Sequence, residues 1–463
     1  MNQPELQTTS TPPPQPVSFW QAFMFWLKLG FISFGGPAGQ IAIMHQELVE
    51  KRRWISEKRF LHALNYCMVL PGPEAQQLAT YIGWLMHRTA GGIIAGGLFV
   101  LPSLFILIAL SWLYIALGQH VLVAALFYGI KPAIIAIVLQ ACHRIGGRAL
   151  KNRVLWAIAA CSFFALLVLQ LPFPLIVAIA GLSGYLGGKL APKYFQGGAG
   201  HGQANKHYGP ALIDDHSPSP AHARFTWWGL GRVILAGLVL GLLPLAALTL
   251  YLGWQHTFTQ MGWFFTSAAL LTFGGAYAVL PYVYQGAVLQ YGWVTPTQMI
   301  DGLALGETTP GPLIMVVAFV AFVGGYVKAV LGPEHLFLAG AVAATLVTWF
   351  TFLPSFLFIF AGAPLVESTH DDLRFTAPLT AITAAVVGVI ANLALFFAWH
   401  VIWPKGLAAP YSLSGMLTAM DGVALLMALA AAVALFRFKR NVMQVIAGSA
   451  VLGLILKAGL GLG

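Results

Sequence analysis

Apolar residues fill this chain in long stretches that are punctuated by glycine and proline rather than by charge. Gly91 to Leu117, Val121 to Ala141 and Val154 to Gly187 read this way in the first part; Val233 to Leu252, Gly311 to Ala329, Leu336 to Phe360, Leu379 to Trp399, Val423 to Phe436 and Val442 to Leu456 do so in the rest. About 20 apolar residues in a helix cross a hydrocarbon layer, and a water-soluble core would not consume so many. The pattern predicts an all-α, polytopic integral membrane protein with about 10 to 13 spans. Pro102 and Pro132 predict kinks, and Pro172 with Pro174 divides Val154 to Gly187 into two short spans.

Between these stretches lie shorter, broken ones, and they occur twice. Phe34, Gly35, Gly36 return as Phe273, Gly274, Gly275; Pro71, Gly72, Pro73 return as Pro310, Gly311, Pro312; Trp54 returns as Trp293, every pair offset by 239 residues. Leu101, Pro102 and Ser103 match Leu353, Pro354 and Ser355 after a further 13 residues. The chain is therefore built from two homologous halves. Helical pieces approach each break (Trp20 to Phe34, Phe60 to Leu70, Phe258 to Phe273, Thr297 to Thr308), and new ones start after Gly36, Pro73, Gly275 and Pro312. Glycine pairs permit backbone geometry that other residues resist, Pro37 fixes its own φ, and Pro-Gly-Pro interrupts a helix and leaves backbone polar groups in need of partners. One such element reads as a packing kink; two at matched positions read as broken or re-entrant helices with a purpose.

Charge sets the orientation. The chain has 24 Lys and Arg against 14 Asp and Glu, a net charge of +10, and only 8% charged residues. Lys51, Arg52, Arg53, Lys58 and Arg59 surround Trp54, whereas the counterpart loop Gln290 to Gln298 has no basic residue. The first loop is predicted to be cytoplasmic and the second external, which makes the halves inverted repeats. Arg144, Arg148, Lys151 and Arg153 mark a second cytoplasmic face. No basic hydrophilic domain offers itself to nucleic acid. Cys67, Cys142 and Cys161 have no paired spacing. Residues 1–19 are polar, proline-rich and without Lys or Arg, a disordered tail rather than a signal peptide. The expected division is 20–188 and 225–463 as the two repeats, joined by a hydrophilic linker, 189–224. Its histidines, His201, His207, His216 and His222, are read as solvated, and Trp54, Trp84 and Trp293 as membrane-interface anchors.

The stretches FGGPAGQIAIMHQELVEKRRWISEKRF, LHALNYCMVLPGPEAQQLATYIGW, LTFGGAYAVLPYV and DGLALGETTPGP strongly resemble the chromate transporter family, in its long, two-domain form, over nearly the whole chain. The resemblance implies a bacterial inner-membrane secondary transporter that exports chromate, coupled to an ion such as the proton, with sulfate as the isosteric competitor. A second reading keeps the class and changes the cargo to sulfate or another oxyanion, in the uptake direction. A monomer is sufficient for a duplicated chain, and a homodimer is compatible with it. No nucleophile elbow, phosphate-binding loop or metal-ligand cluster argues for an enzyme or a cofactor.

A tetrahedral dianion asks for backbone amides at helix N-termini and a few cationic or hydroxyl groups. Candidates for substrate binding or coupling are Gly35, Gly36, Pro37, Pro71, Gly72, Pro73, Gly274, Gly275, Pro310, Gly311 and Pro312 at the breaks, with Asn65, Gln76, Gln77, Thr308 and Thr309 as donors. Glu74 and Glu307 flank the two Pro-Gly-Pro elements on opposite sides and read either as a helix cap, for Glu74, or as proton carriers. Lys28, His45, Arg52 and Arg53 are candidates for the anion approach, Lys28 snorkelling being the alternative, and Asp301 either pairs with a basic group or starts a helix.

Overall fold

The computed structural model describes residues 14–118, 120–195, 208–215, 217, 220–368, 376–406 and 413–459. Most of the tail, His201, His207, His216 and residues 369–372 of the acidic loop lie outside them. Apart from one bridge between Ile55 and Ile213, the regular structure among the described residues is helical.

In the first half α1 (Phe19–Ile32), α2 (Gly36–His45), α3 (Glu57–Val69), α4 (Glu74–Leu117), α5 (Val121–Ala149), α6 (Arg153–Leu167), α7 (Phe173–Leu190) and a single turn α8 (Pro192–Phe195) follow in order. A connecting span holds α9 (Trp227–Gly237) and α10 (Leu243–Leu252). The second half holds α11 (Thr257–Leu270), α12 (Ala276–Tyr284), α13 (Pro296–Thr308), α14 (Val316–Val327), α15 (Leu336–Ser368), α16 (Thr376–Ile402), α17 (Leu413–Thr418), α18 (Gly422–Phe436) and α19 (Val442–Gly453). Among the described residues six helices, counting Trp227–Leu252 as one, are long and apolar enough to cross a membrane, and five apolar helices are shorter.

The repeat extends to the caps. Ser56 caps α3 through the Arg59 amide, and its counterpart Thr295 caps α13 in a capping box with Gln298. Both α2 and α12 run on into a π-helical segment, Gln46–Lys51 and Gln285–Gln290, again 239 residues apart. Asn152 and Asp421 cap α6 and α18 at equivalent positions.

Each break is the tip of a helical hairpin. Phe25 of α1 meets Trp54 beyond α2 with ring centroids 4.8 Å apart, and the counterparts Phe264 and Trp293 lie 5.6 Å apart. Both tryptophans, and Trp84, are buried, so these residues seal hairpin bases instead of anchoring at the membrane interface as expected. Tyr66 of α3 packs on Tyr81 of α4 at 6.1 Å, which requires the two helices to run side by side past the Pro-Gly-Pro turn. In the second half a Cβ on Gly302 of α13 would collide with Phe319 of α14. Helix α4 reverses at His87 and Arg88, the latter at φ 57°, so a short helix folds back on a long one; Gly83 and Gly91 make that approach possible.

The halves do not pack as separate bodies. α6 and α7 lie on α16 of the other half, while α18 and α19 lie on α5. The long helices α4 and α15 meet each other, as do α5 and α16. Glycines set the closest approaches: a Cβ on Gly129 of α5 would overlap the Ser449 carbonyl of α19, and one on Gly184 of α7 would stand 2.7 Å from Ala381 of α16. Small residues at helix crossings are the usual device where lipid supplies no hydrophobic drive between helices.

Candidate functional site

The four breaks come together by a reciprocal exchange. Gly72 donates its amide to the Thr272 carbonyl at 2.8 Å, and Gly311 donates to the Ser33 carbonyl at 2.8 Å; the two bonds are related by the 239-residue offset in both partners. Each Pro-Gly-Pro of one half is thus tied to the glycine pair of the other. Side chains repeat the exchange: a Cβ on Gly72 would strike Ser355 of α15, and one on Gly311 would stand 2.8 Å from Ser103 of α4. Only glycine fits, since both residues also have positive φ, 123° and 106°. Ser103 and Ser355 lie near the middles of the long helices, so the breaks sit at mid-depth.

All four helix starts at this point lack a side-chain cap: α2 at Gly36, α12 at Ala276, α4 at Glu74, and the 3₁₀ turn Leu313–Met315 that opens α14. Their first amides have no partner within the helix, and their dipoles present positive ends. Gly275 approaches Glu74, an oxygen of which would lie 3.9 Å from a Cβ there, so this carboxylate stands between the N-termini of α4 and α12. Glu307 is buried and accepts a hydrogen bond from Tyr277 of α12. The charge of Arg144 on α5 reaches both carboxylates, and that of Arg148 also reaches Glu74. Both arginines are exposed, one turn apart on the same helix. The Gln40 amide spans the exchange, donating to the Gly311 carbonyl at 2.5 Å and the Ser33 carbonyl at 3.3 Å.

The side-chain donors expected from the sequence are mostly engaged. Gln77 donates to the Pro71 carbonyl at 2.7 Å and Gln76 to Thr80 at 3.1 Å, leaving one buried oxygen of each without a partner. Thr308 and Thr309 turn back on α13, bonding carbonyls of Ala304 and Leu305. Asn65 is half-buried in the last turns of α3. The buried Ser355 hydroxyl has no partner among the described residues and faces Gly72 of the first Pro-Gly-Pro.

The approach residues lie apart, at the base of the first hairpins. His45 is held between Glu57 at 2.5 Å and Glu50 at 3.2 Å. Arg52 lies over the Phe25 and Trp54 rings, and Arg53 is left-handed with its carbonyl bonded to Leu212. The Lys51 ammonium, bonded at 2.7 Å, with Arg52 and Lys28 behind it, holds the Glu47 carboxyl below the usual carboxylate range. Part of the linker docks here as well, through the Ile213 amide to the Trp54 carbonyl and Ser56 to Asp215. His222 is bonded to the Trp84 carbonyl at 2.9 Å and so is not a freely solvated residue.

Sequence reading missed Arg144 and Arg148, which it spent on topology, and Tyr277 and Gln40. Their one-turn spacing near the end of a largely apolar helix was the available signal for the arginines.

The family model for the chromate transporters matches residues 20–185 and again 259–454. The chain belongs to the chromate transporter family. A chromate transport protein of Pseudomonas aeruginosa is 34% identical to it over 385 residues, 83% of this chain and 82% of that protein. A chromate transport protein of Cupriavidus metallidurans is 26% identical over 437 residues, 94% of this chain and 92% of that one. A probable chromate transport protein of Synechococcus elongatus is 28% identical over 376 residues, 81% and 83% of the two chains. No solved structure matches. As a member of this family the protein is a transporter and not an enzyme, and the two matched segments leave the span Trp227–Leu252 between them.

Proposed function

We propose that this transporter exports chromate in exchange for protons across a bacterial inner membrane, with the anion held where the four uncapped helix N-termini converge. That convergence, beside two carboxylates within reach of one arginine, is the observation that carries the reading. An anion gains about 0.3–1 kcal/mol from each helix N-terminus and up to about 2 in a partly buried site. Four together supply several kcal/mol, the millimolar to micromolar range from which an ion can still be released. Glu74 and Glu307 carry the coupling protons, their protonation alternating with anion occupancy of the site, so that proton and anion cross in opposite directions. The chromate cargo follows the names of the relatives.

The halves are inverted repeats. Support comes from counting. If every hairpin returns to the face it entered from, each half crosses the membrane four times after its hairpins, and the connecting span Trp227–Leu252 crosses once, so the second half starts on the opposite face. Lys51 to Arg59, Arg144 to Arg153 and Arg437 to Arg440 then share one face, the cytoplasmic one by their charge.

The test is labelled chromate flux into inside-out vesicles under an imposed pH gradient, with and without excess sulfate. Gradient-driven accumulation that Glu307→Gln abolishes is expected. Robust sulfate flux without chromate flux would replace the cargo, and flux indifferent to the gradient would remove the proton.

A further inference from the structure

The two halves each bury an ionic cluster where a hairpin helix meets the long helix of the other half, and the clusters differ in a way that separates structure from function. In the first, Arg59 of α3 pairs with Glu367 of α15 at 2.9 Å, and Tyr81 donates to the second oxygen of the same carboxylate at 2.6 Å. In the second, Asp301 of α13 accepts from Tyr114 of α4 at 2.9 Å, and Lys131 of α5 stands 3.5 Å away on that same oxygen. The other oxygen of Asp301 is buried and has no partner among the described residues. Asp301 is 2% exposed. The positions correspond: Tyr114 matches Val366, next to Glu367, and Asp301 matches His62, one turn from Arg59.

In the first cluster both carboxylate oxygens are engaged. The second keeps a carboxylate in the membrane with half its bonding capacity idle and its cation beyond tight contact, an arrangement that costs free energy unless the group changes state during function. The charged or titratable groups acting on it among the described residues are Lys131 from α5 and Tyr114 from α4; of the other helices packed on α13, α14 carries Tyr326 and α16 carries His400, neither of which acts on it, and α19 carries none.

We propose that Asp301, with Lys131 and Tyr114, is a second proton-binding site, through which protons from the face opposite the basic loops reach Glu307. Glu307 lies six residues on in the same helix, about 9 Å along its axis. A proton adds to the idle Asp301 oxygen, Lys131 keeps its own and loses its counter-charge, and release of the proton toward Glu307 restores the pair. No bond other than O–H forms or breaks. This inference rests on the proton-coupled reading above.

The experiment uses the full-length protein in proteoliposomes and reads two quantities: accumulation of labelled chromate driven by a pH gradient, and exchange of labelled for unlabelled chromate without one. Asp301→Asn should lower gradient-driven accumulation by about tenfold or more, the size of an ordinary coupling free energy, while exchange stays within about threefold of the parent. Glu367→Gln should reduce both together with the thermal stability, as a structural pair does. Full gradient-driven accumulation by Asp301→Asn would overturn the proposal, and so would a parallel loss of accumulation, exchange and stability. A parent protein that accumulates chromate without regard to the gradient would overturn the coupled reading and this inference with it, whereas a gradient-dependent parent with an unaffected variant overturns the inference alone.

Discussion

At the scale of residues, the site depends on what is left unspent. Thr308 and Thr309 have the chemistry to bind an oxyanion, yet their hydroxyls bond their own helix. A threonine in an apolar helix has a carbonyl one turn back and no water to compete with it, so composition alone overstates its availability. Arg144 illustrates the converse. Its charge read as a topology signal, and it became a candidate only once folding brought its charge within range of carboxylates from positions 74 and 307. No local pattern encodes that meeting. A charge-assisted contact from such a group contributes about 1.5–3 kcal/mol, so its removal should weaken anion binding by about tenfold to a hundredfold.

At the scale of elements, the legible features were those with a local cause. Pro-Gly-Pro and the glycine pairs marked the breaks, and the repeat identified which breaks correspond, whereas the Ser56 and Thr295 caps that start α3 and α13 at matched positions went unread, the helices being expected from Phe60 and Thr297. The direction of the chain after each break was not legible, because a proline interrupts a helix equally well in a bent span and in a hairpin. Long-range contacts decide it, such as Tyr66 on Tyr81 and Phe25 on Trp54. The same contacts overturned the interfacial reading of the tryptophans: an aromatic beside a basic loop has the sequence of an anchor whether it faces lipid or a neighbouring helix. A test of the break geometry follows. Gly311→Ala combines a φ of 106° with a Cβ 2.8 Å from Ser103, whereas Gly35 has a φ of 87° and open space around it. Gly35→Ala should cost about 1–2 kcal/mol of backbone strain alone, and Gly311→Ala more, with a lower melting temperature in detergent and loss of flux. Equal melting temperatures for the two variants would contradict the tight exchange at the second Pro-Gly-Pro.

At the scale of the molecule, the reciprocal bonds from Gly72 and Gly311 mean that neither half can complete the site alone. Duplication was visible in the sequence, while the crossing of α6 and α7 onto α16, and of α18 and α19 onto α5, was not, since pairing between apolar helices leaves no periodic signature that names the partner. Inverted orientation makes a prediction for exposed positions at the two hairpin bases. Lys58 and Thr295 are exposed, so cysteines there accept a membrane-impermeant thiol reagent, with Cys161, the exposed native thiol, replaced. Labelling of intact cells should modify position 295 and spare position 58; equal labelling of both would make the repeats parallel.

The convergent helix ends, with the charge of Arg144 within range of their two carboxylates, are the centre of the proposed site, and binding tests them without reference to direction or coupling. Equilibrium binding of labelled chromate to the purified protein should be saturable, displaced by sulfate, and weakened about tenfold or more by Arg144→Gln with the melting temperature unchanged. Undiminished chromate binding by a folded Arg144→Gln protein would mean that the anion is held elsewhere.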